Sequence, residues 1–363
     1  MNASKALAEG LPPSRLGFAV NVLGQPGLKS ADTRRWQKHP HLRTSLGYLK
    51  PIFTYLEKHE ILMYRMSSQL APYLTHPDLP QFHRQIEESR DELTEVGGMA
   101  RGLKLRLSFH PSQYVILNSP DEQLNRKSVL EVQAQVDLLD AMQLGPEGVV
   151  VIHVGGAYGD PRASRERWVR TYETLSPEIR KRLVLENDDV SFSAADVLFV
   201  HERTGVPLVF DHQHFCCLNP EQLDLADTVG RFLRTWPAGV RPKLHFSSPR
   251  TQFRETRRRD RNTKKFVTVI LPPRWTGHAD YCDPFTFINV MRSVVSNAPF
   301  DVMLEAKAKD LALRRLRSDM AMYAPDLAAR FACAHTENPS RNDPVLLLGE
   351  PVSDGTAMPE PGS

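Results

Sequence analysis

Short apolar runs alternate with longer stretches of helical spacing along this chain. The runs fall at residues 15–21, 61–66, 103–109, 148–153, 182–186, 206–211, 240–246 and 300–304. Their lengths and their load of Val, Leu, Ile and Phe are those of strands buried on both faces. Between them, apolar positions return every third or fourth residue. Val129, Val132, Val136 and Leu139 share one face of a helix expected over 128–142. Ile86, Leu93 and Val96 do the same within 79–100, which ends near Gly97-Gly98. Further helices are expected over most of 31–59 and over 161–175, 193–203, 220–236, 283–297 and 310–323. Gly145-Pro146 and Gly205-Val206-Pro207 turn the chain into strands, and Asp283-Pro284 opens a helix as cap and first-turn residue. Strands and helices in strict alternation predict an α/β protein with one (β/α)8 (TIM) barrel over 14–325.

Composition narrows this picture. The 363 residues are 41% hydrophobic and 25% charged, as in a soluble globular protein. No apolar run approaches the ~20 residues that cross a bilayer. Residues 1–13 lack the apolar core of a signal peptide and read as a flexible N-terminus. A cytoplasmic protein without membrane association is expected, nucleoid-associated in a bacterial host. Cys216, Cys217, Cys282 and Cys333 show no CxxC spacing, which disfavours a disulfide framework or a thiolate zinc site. A net charge of +3 means that any nucleic-acid surface is local. One segment is: an insertion at 250–274 carries eight Arg and Lys within 250–265, against Glu255 and Asp260. Such a block reads as a solvated, mobile loop or as a phosphate-neutralising surface. The tail 337–363, rich in Pro, Glu, Ser, Gly and Asp, reads as disordered.

The strand-like runs end in ligand-type residues: His110, His153, Glu186, Asp211 (with His214 three residues on), His245 and Glu305. Each has a plainer role available, since a strand-end aspartate caps the next helix and a strand-end histidine is often only hydrogen-bonded. A barrel, however, gathers the C-terminal ends of its strands around one mouth. Several carboxylates there repel one another unless cations offset the charge. Histidine with carboxylate and no cysteine suits Zn²⁺, Mn²⁺ or Fe²⁺. Seven ligands are too many for one four-coordinate ion and suffice for two or three if Glu186, Asp211 and Glu305 bridge. Such centres suit phosphoryl chemistry. Gln113-Tyr114, on the loop after His110, is either a turn glutamine beside a core tyrosine or a polar–aromatic wedge that enters DNA.

The motifs RLGFAVN (15–21), YRMSSQLAP (64–72), SFHPSQYV (108–115), VIHVGG (151–156), LENDD (185–189), FDHQH (210–214), KLHFSSP (243–249), GHADY (277–281) and LEAKAKD (304–310) occur in this order. Together they resemble the UV damage endonucleases, relatives of endonuclease IV among the xylose-isomerase-like barrels. The resemblance covers 14–325. It implies metal ligands at His110, His153, Glu186, Asp211, His214, His245, His278 and Glu305. His278, with Asp280 in support, enters only through the resemblance. So do catalytic roles for Glu186, Asp211, Glu305 and a carboxylated Lys243; of the two or three divalent ions, Mn²⁺ is foremost with Zn²⁺ as the alternative. The resemblance favours the wedge for Gln113 and Tyr114, and sets Asn21 and Phe18 against the lesion or backbone. Some members carry tyrosine at the Phe18 position, so stacking is kept there and a hydroxyl lost. The long basic insertion is a second departure.

The implied activity is a metal-dependent DNA repair endonuclease. It nicks the damaged strand of double-stranded DNA immediately 5′ to cyclobutane dimers, 6-4 photoproducts and, by extension, abasic sites, acting as a monomer. The products are a 3′-hydroxyl and a 5′-phosphate. Two rivals share parts of the pattern. A metal-dependent sugar isomerase or epimerase of the same superfamily needs a small closed pocket and no DNA affinity, against which stand the Gln-Tyr pair and the basic insertion. A non-catalytic scaffold for damaged DNA needs no full ligand set, and this chain carries a nearly complete one.

Overall fold

The structure, a computed structural model, describes residues 13–294 and 299–331. Most of the expected N-terminal segment, the tail 337–363, Cys333 and the end of the helix expected to reach 297 lie outside the described residues.

The strands are β1 (Leu16–Ala19), β2 (Met63–Arg65), β3 (Arg106–Ser108), β4 (Val150–His153), β5 (Leu183–Glu186), β6 (Leu208–Asp211), β7 (Lys243–Phe246), four strands of an insertion, β8 (Pro249–Arg250), β9 (Arg254–Arg259), β10 (Phe266–Leu271) and β11 (Arg274–His278), and finally β12 (Asp301–Leu304). Eight of them form one parallel sheet in the order β3-β2-β1-β12-β7-β6-β5-β4. That is chain order around a ring. The ring closes between β3 and β4 through a parallel bridge from Phe109 to Val150. There Phe109 N donates to Val149 O and Val151 N to Phe109 O, both at 3.0 Å. The expected (β/α)8 barrel is therefore the fold.

Both faces of these strands are covered, one by the barrel interior and one by the surrounding helices. Every residue of β1, β3, β5, β6, β7 and β12 is accordingly buried. Close packing fixes glycine where a side chain would collide. A Cβ on Gly97 would lie 1.9 Å from Met142 O. Gly155, just past β4, has φ +117°, a conformation open to glycine at little cost.

The two ends of the barrel differ in chemistry. At the N-terminal end, Arg106 and Asp301 form a fully buried ion pair at 2.9 Å, joined by Arg15 at 3.0 Å from the same Asp301 oxygen. Removing one partner of such a pair costs about 3–5 kcal/mol, so this end reads as stability. The C-terminal end collects the histidines and carboxylates.

Helix boundaries moved where capping overrode periodicity. Residues 31–41 hold only the short turn Trp36–Lys38. Pro40 precedes His41, whose side chain accepts from Arg43 N to start the helix Leu42–Lys58. The helix expected over 79–100 is broken near Ser89 and runs as Arg90–Gly102. Asp121 caps Glu122–Ala141, six residues before the apolar stripe announces it, and Asp224 caps Leu225–Arg234, five after the expected start.

The basic insertion is not an irregular loop. β9 and β10 pair antiparallel over six residue pairs, and β8 pairs with β11 at two positions. The run FVTVIL of β10 has strong strand propensity. Asp260 shapes the turn by accepting from Asn262 N (3.1 Å) and Thr263 N (2.6 Å), and Lys264 takes the left-handed conformation at φ 56°. The charge pattern of the segment was legible; its pairing was outweighed by the count of arginines.

Candidate metal centre

His153, Glu186 and Asp211 are the last residues of β4, β5 and β6, Glu305 follows β12 directly, and His278 ends β11. His110 Nε2 lies 3.0 Å from Glu186 Oε2, and His153 Nε2 lies 3.8 Å from the same oxygen. His245 Nδ1 sits 2.7 Å from Glu186 Oε1 and 3.4 Å from Glu305 Oε1. His214 Nδ1 is 3.8 Å from both Glu186 Oε1 and Asp211 Oδ1. His278 Nε2 is 3.6 Å from Glu305 Oε2. Three groups bring one donor atom per residue within 4.8 Å of one another: His110, His153 and Glu186; Glu186, Asp211 and His214; Asp211, His245 and Glu305. Glu186 and Asp211 each belong to two groups, as bridging carboxylates would.

A cation fits this arrangement on its own physics. Asp211 Oδ2, His153 Nδ1 and His245 Nε2 are buried without a hydrogen-bond partner. Such orphaned groups cost about 1–3 kcal/mol each unless something satisfies them. The donor set, nitrogen and carboxylate oxygen without thiolate, suits a borderline divalent ion.

Burial works against every charge here, and the neighbours decide the outcome. Burial pushes the Glu186 carboxyl up, but His245, His153 and a hydrogen bond to His110 outweigh it and hold the group well below the usual range. Glu305 is likewise held well below it, with Arg65 as the largest opposing influence. Burial pulls His214 down, yet Asp211, Glu186 and Glu305 raise it to about 10. His153 goes the other way: burial, with His110 and His214 nearby, lowers it to about 4. His278 is also lowered, chiefly by burial. Lys243, fully buried, has its amine held well below its usual range by burial and by Arg106 and Arg65. Its Nζ donates to Ser108 Oγ at 3.3 Å.

Asp211 reconciles the two readings of its motif. Its Oδ1 accepts from His214 N at 2.8 Å and so caps the short helix His212–Cys217, while Oδ2 is buried without a hydrogen-bond partner. The histidines beside it, His212 and His214, are both buried.

Other residues hold the ligands in place and were not singled out from the sequence. Asn187 brackets the Asp211 backbone, donating to its carbonyl at 3.1 Å and accepting from its N–H at 2.9 Å. His214 Nδ1 meets Asn187 O at 2.9 Å. Ser247 Oγ contacts His278 Nδ1 at 2.7 Å and donates to Gln213. Gln213 Nε2 in turn donates to Trp275 O (2.9 Å) and Gly277 O (3.3 Å), tying β11 to the end of β6. Arg65, the last residue of β2, pairs with Glu305. The strand-end rule points to Arg65 as well, once cations are counted beside ligands.

The other expected site residues divide. Gln113 and Tyr114 are exposed on the loop after β3, Tyr114 at 68%. Asn21 is exposed after β1, its Oδ1 accepting from Ser30 Oγ at 3.1 Å. Phe18 differs from expectation: it is completely buried and packs edge-on against Tyr64, with ring centroids 5.5 Å apart. It belongs to the core, because strand alternation turns it toward the helices. Asp280 is exposed, and the support expected from it for His278 comes from Ser247 instead.

Comparison with known proteins agrees with this geometry. Residues 41–328 match the family described as UV-endonuclease UvdE. The UV DNA damage endonuclease of Bacillus velezensis is 35% identical, covering 85% of this chain and 94% of its own. That of Bacillus pumilus is 32% identical over 72% of this chain and 76% of its own. The crystal structure of SacUVDE is similar with a TM-score of 0.68 at 28% identity, covering 88% of this chain and 98% of that one. With the barrel closed, the ligand-type residues gathered at its mouth and these relatives in hand, the chain belongs to the UV-endonuclease UvdE family, and is a DNA repair endonuclease.

Proposed function

We propose that this enzyme hydrolyses one phosphodiester of double-stranded DNA immediately 5′ to a UV photoproduct, in a metal-dependent reaction. Cyclobutane dimers and 6-4 photoproducts are the main lesions, and abasic sites share the same loss of stacking. The observation that carries the reading is the set of three overlapping His–carboxylate groups at the mouth, beside a loop presenting exposed Gln113 and Tyr114. All eight proposed ligands come from one chain, which supports a monomer.

His110, His153, Glu186, Asp211, His214, His245, His278 and Glu305 would hold two or three divalent ions, Mn²⁺ or Zn²⁺. When bound, such ions activate water and stabilise the leaving oxygen of a phosphodiester. The protein's own residues supply the rest. Glu186 and Glu305, kept ionised by their neighbours, carry the negative charge that retains cations. His153, kept neutral, offers a lone pair at neutral pH. Lys243 has an amine depressed toward its neutral form, which can add to carbon dioxide: the N–C bond forms, one proton leaves the nitrogen, and an anionic carbamate replaces the neutral amine.

Recognition rests on deformability. A photoproduct lowers the cost of unstacking its base pairs, so a wedge can open the duplex there more readily than elsewhere. Gln113 and Tyr114 fill the space left and stack on the opposite bases. Asn21 contributes a polar contact from the neighbouring loop. Incubation of the purified enzyme with Mn²⁺ and a UV-irradiated duplex, beside an unirradiated one, tests the proposal. The expected result is a single nick 5′ to the lesion with a 3′-hydroxyl that a polymerase extends. Equal cleavage of both duplexes, or none with either Mn²⁺ or Zn²⁺, overturns it.

A further inference from the structure

The antiparallel ribbon of β9 and β10 is exposed along most of its length, with Thr256, Val269 and Leu271 half-buried. Its register sorts the side chains. Paired residues point the same way, and successive pairs alternate. Arg257 and Arg259 therefore share one face with Phe266 and Ile270, while Arg254 and Arg258 lie on the other. Arg257 stands over the Phe266 ring at 5.7 Å, and Phe266 and Ile270 are 64% and 69% exposed. Both faces thus set arginines beside apolar residues: Phe266 and Ile270, with Glu255, on the first, and Val267, Val269 and Leu271 on the second.

Several arginines of the barrel are held by carboxylates. Arg43, Arg165 and Arg182 each pair with a carboxylate. Among the described residues, Arg254, Arg257, Arg258 and Arg259 form no ion pair with a side-chain carboxylate; Arg259 only donates Nε to Lys264 O at 2.9 Å. Four guanidinium groups crowded onto six consecutive residues repel one another. An anionic partner relieves that repulsion.

The ribbon is also rooted at the mouth. It leaves the barrel two residues past β7 and returns through β11, whose last residue is His278. Gln213 grips β11 through two backbone carbonyls. A six-residue hairpin reaches about 20 Å, far enough to follow a duplex away from the mouth.

Resting on the proposed DNA nicking, we infer that this ribbon enters the major groove of the duplex beside the lesion, each cationic face contacting the phosphates of one strand. A two-stranded ribbon with side chains is about 10–12 Å across, which matches a major groove about 12 Å wide and not a minor groove about 6 Å wide. Contacts of this kind raise affinity and fix register without reading sequence.

The test compares two double variants of the full chain, Arg257→Ala with Arg259→Ala and Arg254→Ala with Arg258→Ala, each removing charge from one face. Binding to an undamaged duplex is titrated against salt, so the result stands apart from nicking and lesion choice. Each variant should flatten the slope of log affinity against log salt by up to about 1.8, at 0.9 per lost contact. Bound metal and thermal unfolding should match the parent, which separates lost contacts from lost folding. Methylation of guanine N7, which projects into the major groove, should weaken the parent. If only one face changes the slope, the ribbon lies flat on the backbone and groove entry is wrong. If neither does, the ribbon does not touch DNA. If the parent never nicks irradiated DNA, the functional reading fails while this binding result is still read.

Discussion

At the scale of single residues, Asp211 and Glu186 carry the most. Asp211 gives one oxygen to the cap and keeps the other buried without a hydrogen-bond partner. Glu186 receives four histidines on two oxygens, at 2.7 Å to 3.8 Å. Asp211→Asn and Glu186→Gln keep the shape of each side chain and remove its charge. Asparagine is as good an N-cap as aspartate, so the short helix after β6 should persist. Loss of an outer-shell partner typically costs about 10–100-fold in metal affinity or activity. Loss of a bridging charge should exceed that, so both variants should hold less metal and nick irradiated duplex at least about a hundredfold more slowly. Metal analysis beside a nicking assay decides it: either variant with full metal and full rate removes that residue from the centre.

At the scale of elements, the loop after β3 carries the proposed wedge, Gln113 and Tyr114, beside the proposed ligand His110. Exposure of Tyr114 at 68% is a poor use of a large aromatic unless it meets a partner. Gln113→Ala together with Tyr114→Ala should leave bound metal unchanged and bring the preference for irradiated over intact duplex down by tenfold or more. A double variant that still discriminates like the parent puts the wedge elsewhere. The sequence made this arrangement legible because a parallel barrel writes one strand per apolar run and places each run's end at the mouth. His110, His153, Glu186, Asp211, His245 and Glu305 needed only that rule. His278 did not obey it, since β11 (RWTGH) lies in the antiparallel insertion and is not itself an apolar run, and only the family resemblance pointed to it. Phe18 was misplaced because the rule fixes where a strand ends and not which face each residue takes. Asn187, Gln213 and Ser247 escaped because their roles exist only across elements distant in sequence.

At the scale of the whole molecule, gathering this many titratable groups at one mouth ties the stability of the barrel to pH and to metal. In the metal-free protein the His214 value of about 10 lies above its ordinary 6.5. Its contribution to stability is then fully present below pH 6.5 and is lost as pH rises through about 10. His153, lowered from 6.5 to about 4, acts in the opposite sense, so stability falls as pH drops from 6.5 toward 4. Glu186 and Glu305, depressed below 4.5, add to that acid loss. Each pH unit between folded and unfolded values is worth about 1.4 kcal/mol, so the alkaline loss is on the order of a few kcal/mol. Metal-ligating imidazoles are neutral, so divalent ions held by His214 as proposed would displace its proton. Once they are bound, the alkaline limb should vanish. The chelated protein should show a melting temperature that falls from pH 7 to 10, whereas the Mn²⁺-loaded protein should melt higher and stay level over that range. Adding metal at pH 7 should also release protons, seen as a buffer-dependent heat by calorimetry. A chelated protein whose melting temperature holds or rises from pH 7 to 10 would mean that His214 does not carry the balancing charge, and that the carboxylates of the empty mouth are neutralised in some other way.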